Sequence, residues 1–215
     1  MKYELVIWDF DGTLADTVYQ GVQVYNTLAE QYGFEPLVET EQARDMTLRQ
    51  FLAVHRIPIF RTPRLMKEFL GQLRGVMANV QLYPNLNQTL ETLREAGCRL
   101  GIVSSNAEEN IRSCLAANHA EELFEFVIGY KRLFGKERAI RRALSRARCP
   151  VGSALYIGDE VRDIEAAGKV GIDIAAVGWG LNSEKVLREH RPTYFVESVD
   201  QLHDVVQNSP ERSSR

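Results

Sequence analysis

From residue 85 to residue 207, short apolar runs alternate with helical stripes, and few folds accommodate that alternation. "NLNQTLETLREAG" spaces Leu86, Leu90 and Leu93 as one helix face, with Gly97 as its stop. "CRLGIVSSN" then reads as a strand ending in polar residues, and "AEENIRSCLAANH" as a helix with acidic residues in its first turn. "FEFVIGY" is the next strand, followed by the helix "KERAIRRALSRA" with Ile140, Ala143, Leu144 and Ala147 as its apolar stripe. "SALYIGDEVRDIEAAGKVG" gives a strand, a polar turn and a helix stopped by Gly168 or Gly171. "IDIAAVGWG" and "TYFV" are read as the last strands, and "SVDQLHDVVQ" as a closing helix capped by Ser198. Strands alternating with helices predict an α/β fold, a doubly wound parallel sheet with right-handed crossovers.

Two segments stand outside this alternation. Leu5, Val6 and Ile7 form a short apolar run suited to a buried parallel strand. From Thr17 to Leu82 the patterns are helical ("VYQGVQVYNTLAEQYG", "EQARDMTLRQFLAVH", "TPRLMKEFLGQLRGVMANV"), with no convincing strand. Leu65, Phe69, Leu73 and Val76 repeat at helical spacing and are expected as core. Such a block, placed between the first strand and the next strand–helix unit, is expected as a helical subdomain over the carboxyl edge of the sheet. The polar tail "NSPERSSR" is expected to be mobile.

The strand order places polar clusters at carboxyl ends: Asp9-Phe10-Asp11-Gly12-Thr13, Ser104-Ser105-Asn106, Lys136, and Gly158-Asp159-Glu160 with Asp163. Ligands of open α/β sheets bind in the crevice outside those ends, so clusters distant in sequence converge there. Asp9 and Asp11 lie two residues apart at the end of an extended run, and their like charges repel unless a cation or a reaction uses them. A calcium loop counted from Asp9 fails, since Leu14 and Gln20 stand where glycine and glutamate are required. The residue types suit phosphoryl transfer. One carboxylate can attack phosphorus, and a second can move the proton. Carboxylates with water can hold magnesium. Hydroxyls and main-chain N–H groups can hold phosphate oxygens, and a lysine can balance charge.

Composition narrows the partners. The 215-residue chain is 45% hydrophobic and 26% charged, with a net charge of −3, which gives no electrostatic case for nucleic acid or an acidic membrane surface. No apolar run reaches the roughly 20 residues of a membrane span, and the first residues lead straight into a strand, so a cytoplasmic protein is expected. Cys98, Cys114 and Cys149 are widely spaced without a CxxC pair and are expected as buried thiols. His55, His119, His190 and His203 share no motif and are expected outside the chemistry.

The pattern resembles the haloacid dehalogenase-like (HAD) hydrolase superfamily, within it the phosphoglycolate phosphatase-like group with a helical cap. "DFDGTLADT" matches the first motif, "LGIVSSN" the second and "YIGDEVRDIEAAGKVGI" the fourth, while "LFGKERAIRRAL" carries the third-motif lysine without the proline that often follows it. The resemblance implies a Rossmann-like core over 1–16 and 83–207, an inserted all-helical cap over 17–82, and a disordered tail over 208–215. It implies Asp9 as nucleophile, Asp11 as general acid/base and Lys136 as charge balance. Substrate phosphate would meet Gly12, Thr13, Ser104, Ser105 and Asn106, and Arg49 is the candidate contact from the cap. Mg2+ would sit on Asp9, the carbonyl of Asp11 and Asp159, with Asp163 in its outer shell. Glu160 stands where many relatives carry threonine. The implied activity is magnesium-dependent hydrolysis of a small phosphate monoester, phosphoglycolate-like, through an aspartyl-phosphate. A sugar phosphomutase of β-phosphoglucomutase type and a non-catalytic binding protein on the same fold stay open as alternatives. A phosphonate hydrolase would need Lys67, the lysine of the helical block, as its Schiff base. Asp11 argues against dehalogenation, which needs no acid for a phosphate leaving group. The particular ester and the oligomeric state are left open.

Overall fold

Burial on both faces makes Leu5–Trp8 (β1) a central strand: all four side chains are buried, Leu5 and Ile7 toward one layer, Val6 and Trp8 toward the other. The computed structural model describes residues 2–38, 43–46, 48–130 and 135–207. Five further strands are Arg99–Ser104 (β2), Phe126–Gly129 (β3), Ala154–Gly158 (β4), Asp173–Val177 (β5) and Tyr194–Val196 (β6). They form one six-stranded sheet in the order β3-β2-β1-β4-β5-β6, parallel throughout. β1 pairs with β2 on one side and β4 on the other, so the order reverses at β1 and opens a crevice at its carboxyl end.

Helices cover both faces, as the doubly wound reading requires. Beyond the helical insertion they are Leu86–Glu95 (α4), Glu108–Ala117 (α5), Lys136–Ala147 (α6), Val161–Val170 (α7), Glu184–Glu189 (α8) and Leu202–Gln207 (α9). Leu86, Leu90 and Leu93 of α4, Ile111 and Leu115 of α5 and Val206 of α9 pack on the layer holding Val6 and Trp8. Ile140, Ala143 and Leu144 of α6 and Ile164 and Ala167 of α7 pack on the layer holding Leu5 and Ile7. Gly171, at φ +83°, ends α7, and Gly168 lies inside it. Ser198 differs from expectation. The closing segment starts as a 3-10 turn over Val199–Gln201, and the Ser198 carbonyl, with no side-chain bond, accepts from Gln201 N–H. All three cysteines are buried and free. No described helix is long and apolar enough to cross a membrane.

Between β1 and α4 the named elements are helices, Thr17–Tyr32 (α1), Leu48–Val54 (α2) and Thr62–Val76 (α3), with short 3-10 turns. The chain enters and leaves this insertion side by side: Asp16 N–H donates to the Gln81 carbonyl at 3.0 Å, and Tyr83 N–H to the Leu14 carbonyl at 3.0 Å. Two expectations change here. Leu65, Phe69, Leu73 and Val76 are half-buried rather than fully enclosed, because α3 packs chiefly on α1. The single helix read over 41–55 is interrupted, with a turn closed by Met46 N–H on the Ala43 carbonyl before α2. The side chain of Arg49 and the tail 208–215 lie outside the described residues.

The edge of the sheet depends on one missing side chain. Gly101 of β2 pairs with Phe126 of β3, whose ring lies across it; a Cβ at Gly101 would stand 2.2 Å from the ring. Phe126 is buried with the Arg146 guanidinium 5.6 Å from its centroid, so the ring has little room to yield. Gly101→Val is expected to lower stability by about 1–3 kcal/mol through overpacking. Urea unfolding checks it: a lower midpoint at unchanged m-value is expected, and an unmoved midpoint would mean that the ring swings aside.

Candidate active site

The loop leaving β1 turns back on itself within a few residues. Asp9 N–H still donates to the Ile157 carbonyl at 2.8 Å, which extends the sheet ladder by one residue. The Phe10 carbonyl then accepts from Leu14 and Ala15 N–H groups, both at 3.0 Å. Gly12 makes this turn possible. Its φ is +75°, and a Cβ there would stand 2.3 Å from Asp159 Oδ2. Its N–H is already used, donating to Thr17 Oγ1 at 3.1 Å and to the Ala15 carbonyl at 3.0 Å.

Asp9 and Asp11 face different partners. Asp9 Oδ1 accepts from Phe10 N–H at 2.8 Å, and Oδ2 accepts from the Lys136 ammonium at 2.5 Å. Lys136 opens α6, is buried, and also contacts the Asp163 carboxylate. Burial alone would lower its pKa, but the charges of Asp163 and Asp9 overcome that and hold it well above the usual lysine value. Asp11 is held from β2: Asn106 Nδ2 donates to its Oδ1 and Oδ2 at 3.1 and 3.2 Å, and Ser104 Oγ lies 3.5 Å from Oδ2. Burial and then the Asp9 charge push the Asp11 carboxyl up to about 6, against the pull of Asn106 and Thr17. Ser105 sits half-buried beside them.

Asp159 and Asp163 complete the cluster from the end of β4. Thr13 Oγ1 donates to Asp159 Oδ1 at 2.6 Å, and Leu181 N–H to Asp159 Oδ2 at 2.7 Å. Asp163 Oδ2 accepts Glu160 N–H at 3.0 Å, which closes the first turn of α7. Glu160 itself turns to Arg162, with Oε1 2.5 Å from Nη2. Burial, then Glu160, Asp163 and Asp9, raise Asp159 well above the ordinary carboxylate range. Burial also raises Asp163, and Lys136 offsets this only in part.

Asp9, Asp159 and Asp163 are all buried, and each offers an oxygen within 4.8 Å of the others. Ionised together, as a bound cation would hold them, the three carboxylates would carry two net negative charges against the Lys136 ammonium. Hard oxygen donors with that charge fit a divalent cation such as magnesium. Crowding of this kind is otherwise unfavourable, because each buried carboxylate raises the others.

Of the residues singled out in the sequence, Asp9, Asp11, Ser104, Asn106, Lys136, Thr13, Asp159 and Asp163 meet in one crevice. Thr13 and Asn106, expected to touch phosphate, direct their side chains to Asp159 and Asp11. The loop after β5 carries none of the polar clusters read at strand ends, yet it closes the site. Trp179 Nε1 donates to the Thr13 carbonyl at 3.1 Å, and Gly180 packs so tightly on Asp159 that a Cβ would stand 2.1 Å from the Asp159 Cβ. The dipeptide "WG" after a strand was the available signal. The buried His55 belongs to the insertion, its Nδ1 2.8 Å from the Glu35 carbonyl, away from this chemistry.

Known proteins resemble this chain in sequence and fold. The sequence model of the haloacid dehalogenase-like hydrolases matches residues 6–177. A phosphoglycolate phosphatase of Synechococcus elongatus is 31% identical over 205 residues, covering 94% of this chain and 97% of that protein. Pyrophosphatase PpaX of Oceanobacillus iheyensis is 23% identical, covering 97% and 99%. A haloacid dehalogenase-like family hydrolase from Streptococcus pneumoniae superposes with a TM-score of 0.82 at 19% identity, covering 96% of this chain and 99% of that one, which is a likeness of fold. Members of the family that act as phosphatases generally use a divalent metal, and the buried aspartate cluster offers a place for one. The chain belongs to the haloacid dehalogenase-like hydrolase family, among its members of phosphatase type.

Proposed function

We propose that the protein is a magnesium-dependent phosphatase that hydrolyses a small organic phosphate monoester, phosphoglycolate-like, by way of a phosphorylated Asp9. The observation that carries this is the unequal treatment of two neighbouring acids: Asp9 lies against a buried ammonium, whereas Asp11 is held by a neutral amide with its carboxyl pushed upward. Two acids in contrasting environments suit a nucleophile beside a proton donor. The Asp9 carboxylate attacks phosphorus, the ester P–O bond breaks, and Asp11 gives its proton to the departing alkoxide. In the second half Asp11 takes a proton from water, whose oxygen attacks the aspartyl-phosphate; inorganic phosphate leaves and Asp9 is restored. Asp9, the main-chain carbonyl of Asp11 and Asp159 would hold magnesium, with Asp163 outside them. The bound ion would supply positive charge against the phosphoryl oxygens. Lys136 keeps Asp9 and Asp163 together, and Asn106 fixes Asp11.

The core would comprise 1–16 and 83–207, and the helical insertion 17–82 would act as the cap, excluding bulk water and selecting the ester. The name of the Synechococcus relative supports phosphoglycolate as the first substrate to try, and the PpaX relatives add inorganic pyrophosphate to the panel. Phosphate release from phosphoglycolate, pyrophosphate and an aryl phosphate is the test. Release by the wild type is expected to need magnesium, to stop with EDTA and to fall to background in Asp9→Asn. Turnover that persists in Asp9→Asn would refute the nucleophile.

Two further variants separate the roles. Asp11→Asn is expected to slow the first half-reaction, read as single-turnover release of the alcohol, about 10²–10⁴-fold with an alkyl ester, and much less with a nitrophenyl ester, whose leaving group needs no proton. Equal losses on both esters would remove Asp11 from the proton transfer. Gly180→Ala drives a methyl group into Asp159; a higher magnesium requirement is expected in metal titrations of activity, and an unchanged requirement would count against Asp159 as a ligand.

A further inference from the structure

Arg44 belongs to the helical insertion, in the turn that interrupts the helix read over 41–55, but its guanidinium reaches the core. Nη2 donates to the Gly178 carbonyl at 2.7 Å and to the Asn182 carbonyl at 3.3 Å, and Nε donates to the Leu181 carbonyl at 3.3 Å. Asn182 answers with Nδ2 on the Arg44 carbonyl at 3.3 Å, and next to it Ser183 Oγ contacts the Asp45 carboxylate. A planar fork of donors across several carbonyls fixes a loop in a way that a single ammonium cannot.

The opposite side of the same loop holds Asp159. Leu181 N–H bonds its Oδ2 at 2.7 Å, Asn182 N–H lies 3.3 Å from its carbonyl, and Gly180 packs against its side chain. Asn182 Oδ1 also accepts from Val161 N–H at 2.9 Å, at the start of α7, which carries Asp163. The loop over 178–183 is therefore one peptide thick between the insertion and the acidic cluster.

We infer that Arg44 is a positioning residue: by tying the insertion to the 178–183 loop it sets the Asp159 carboxylate, so docking of the insertion raises the affinity of the acidic cluster for a divalent cation. The inference rests on Asp159 being a metal ligand, as proposed above. Freed of Arg44, the loop would keep its covalent path but lose the partners of three carbonyls. The Leu181 N–H would then hold Asp159 less firmly, leaving Thr13 as the remaining short bond.

Calorimetric titration of the full chain with MgCl₂ alone, in the absence of substrate, reads this directly. Relative to wild type, Arg44→Ala is expected to bind magnesium about tenfold more weakly, the low end for residues behind a metal ligand. Arg44→Lys is expected to fall between them, and Ser183→Ala, which removes the neighbouring tie, to weaken binding in the same direction. The urea midpoint of Arg44→Ala is expected to stay near wild type, because Arg44 fills no core, whereas Ser183→Ala also removes the N-cap of α8 and is read by its magnesium affinity alone. Wild-type magnesium affinity in both Arg44→Ala and Ser183→Ala would overturn the inference, as would a lowered midpoint at unchanged affinity, the mark of a merely structural tie. Should Arg44→Ala fail to fold, Ser183→Ala alone decides. A wild-type chain that takes up no magnesium would instead remove Asp159 as a ligand, and the inference with it.

Discussion

The Lys136 ammonium lies buried between the carboxylates of Asp9 and Asp163, and much of the site's geometry serves to keep it there. A buried cation is strongly unfavourable unless charge and hydrogen bonds surround it. Here the first turn of α6 delivers the lysine, the end of β1 delivers one acid, and the first turn of α7 delivers the other. Three elements far apart in sequence are therefore held in register by one group. The same ammonium leaves the cluster short of positive charge, so one site is both internally braced and open to a cation.

Around this centre the sheet acts as a jig. Parallel strands in the order β3-β2-β1-β4-β5-β6 bring the loops after β1, β2 and β4 to one edge, and the loop after β5 folds inward over them. Glycine is used where main chain and carboxylate must nearly touch, at Gly12 and Gly180. Polar residues there hold the acids: Asn106 holds Asp11, and Thr13 holds Asp159. Rigidity of that kind suits phosphoryl transfer, where positioning and electrostatics do most of the work.

The strand–helix alternation was legible because buried parallel strands and amphipathic helices leave different periods in the sequence. The acids were legible because charged residues at strand ends need a reason. What stayed hidden depends on tertiary approach. Nothing local to Gly180 or Leu181 says that their main chain will meet Asp159. Arg44 and Arg49 stand in the same helical pattern, and that pattern cannot foretell a turn at Met46 that sends Arg44 toward the core. The stripe of α3 was read as core, yet a helix packed chiefly on one neighbour buries only part of its apolar face. Ser198 was read as a cap from residue type alone, while the chain chose a tighter first turn that its carbonyl satisfies.

The pairing of Leu14 and Asp16 with Gln81 and Tyr83 has a wider consequence. Because the two ends of the insertion are stitched to each other, the segment between them is already a closed loop as far as the sheet is concerned. Lengthening such a loop costs only about 0.6 kcal/mol per doubling. Insertions and deletions within it need not disturb the β1–β2 register or the acids at its end. Apart from the Arg44 contact, which ties this segment to the loop behind Asp159, the choice of ester proposed for the insertion and the chemistry proposed for the acids can therefore diverge at separate rates in descendants of this chain.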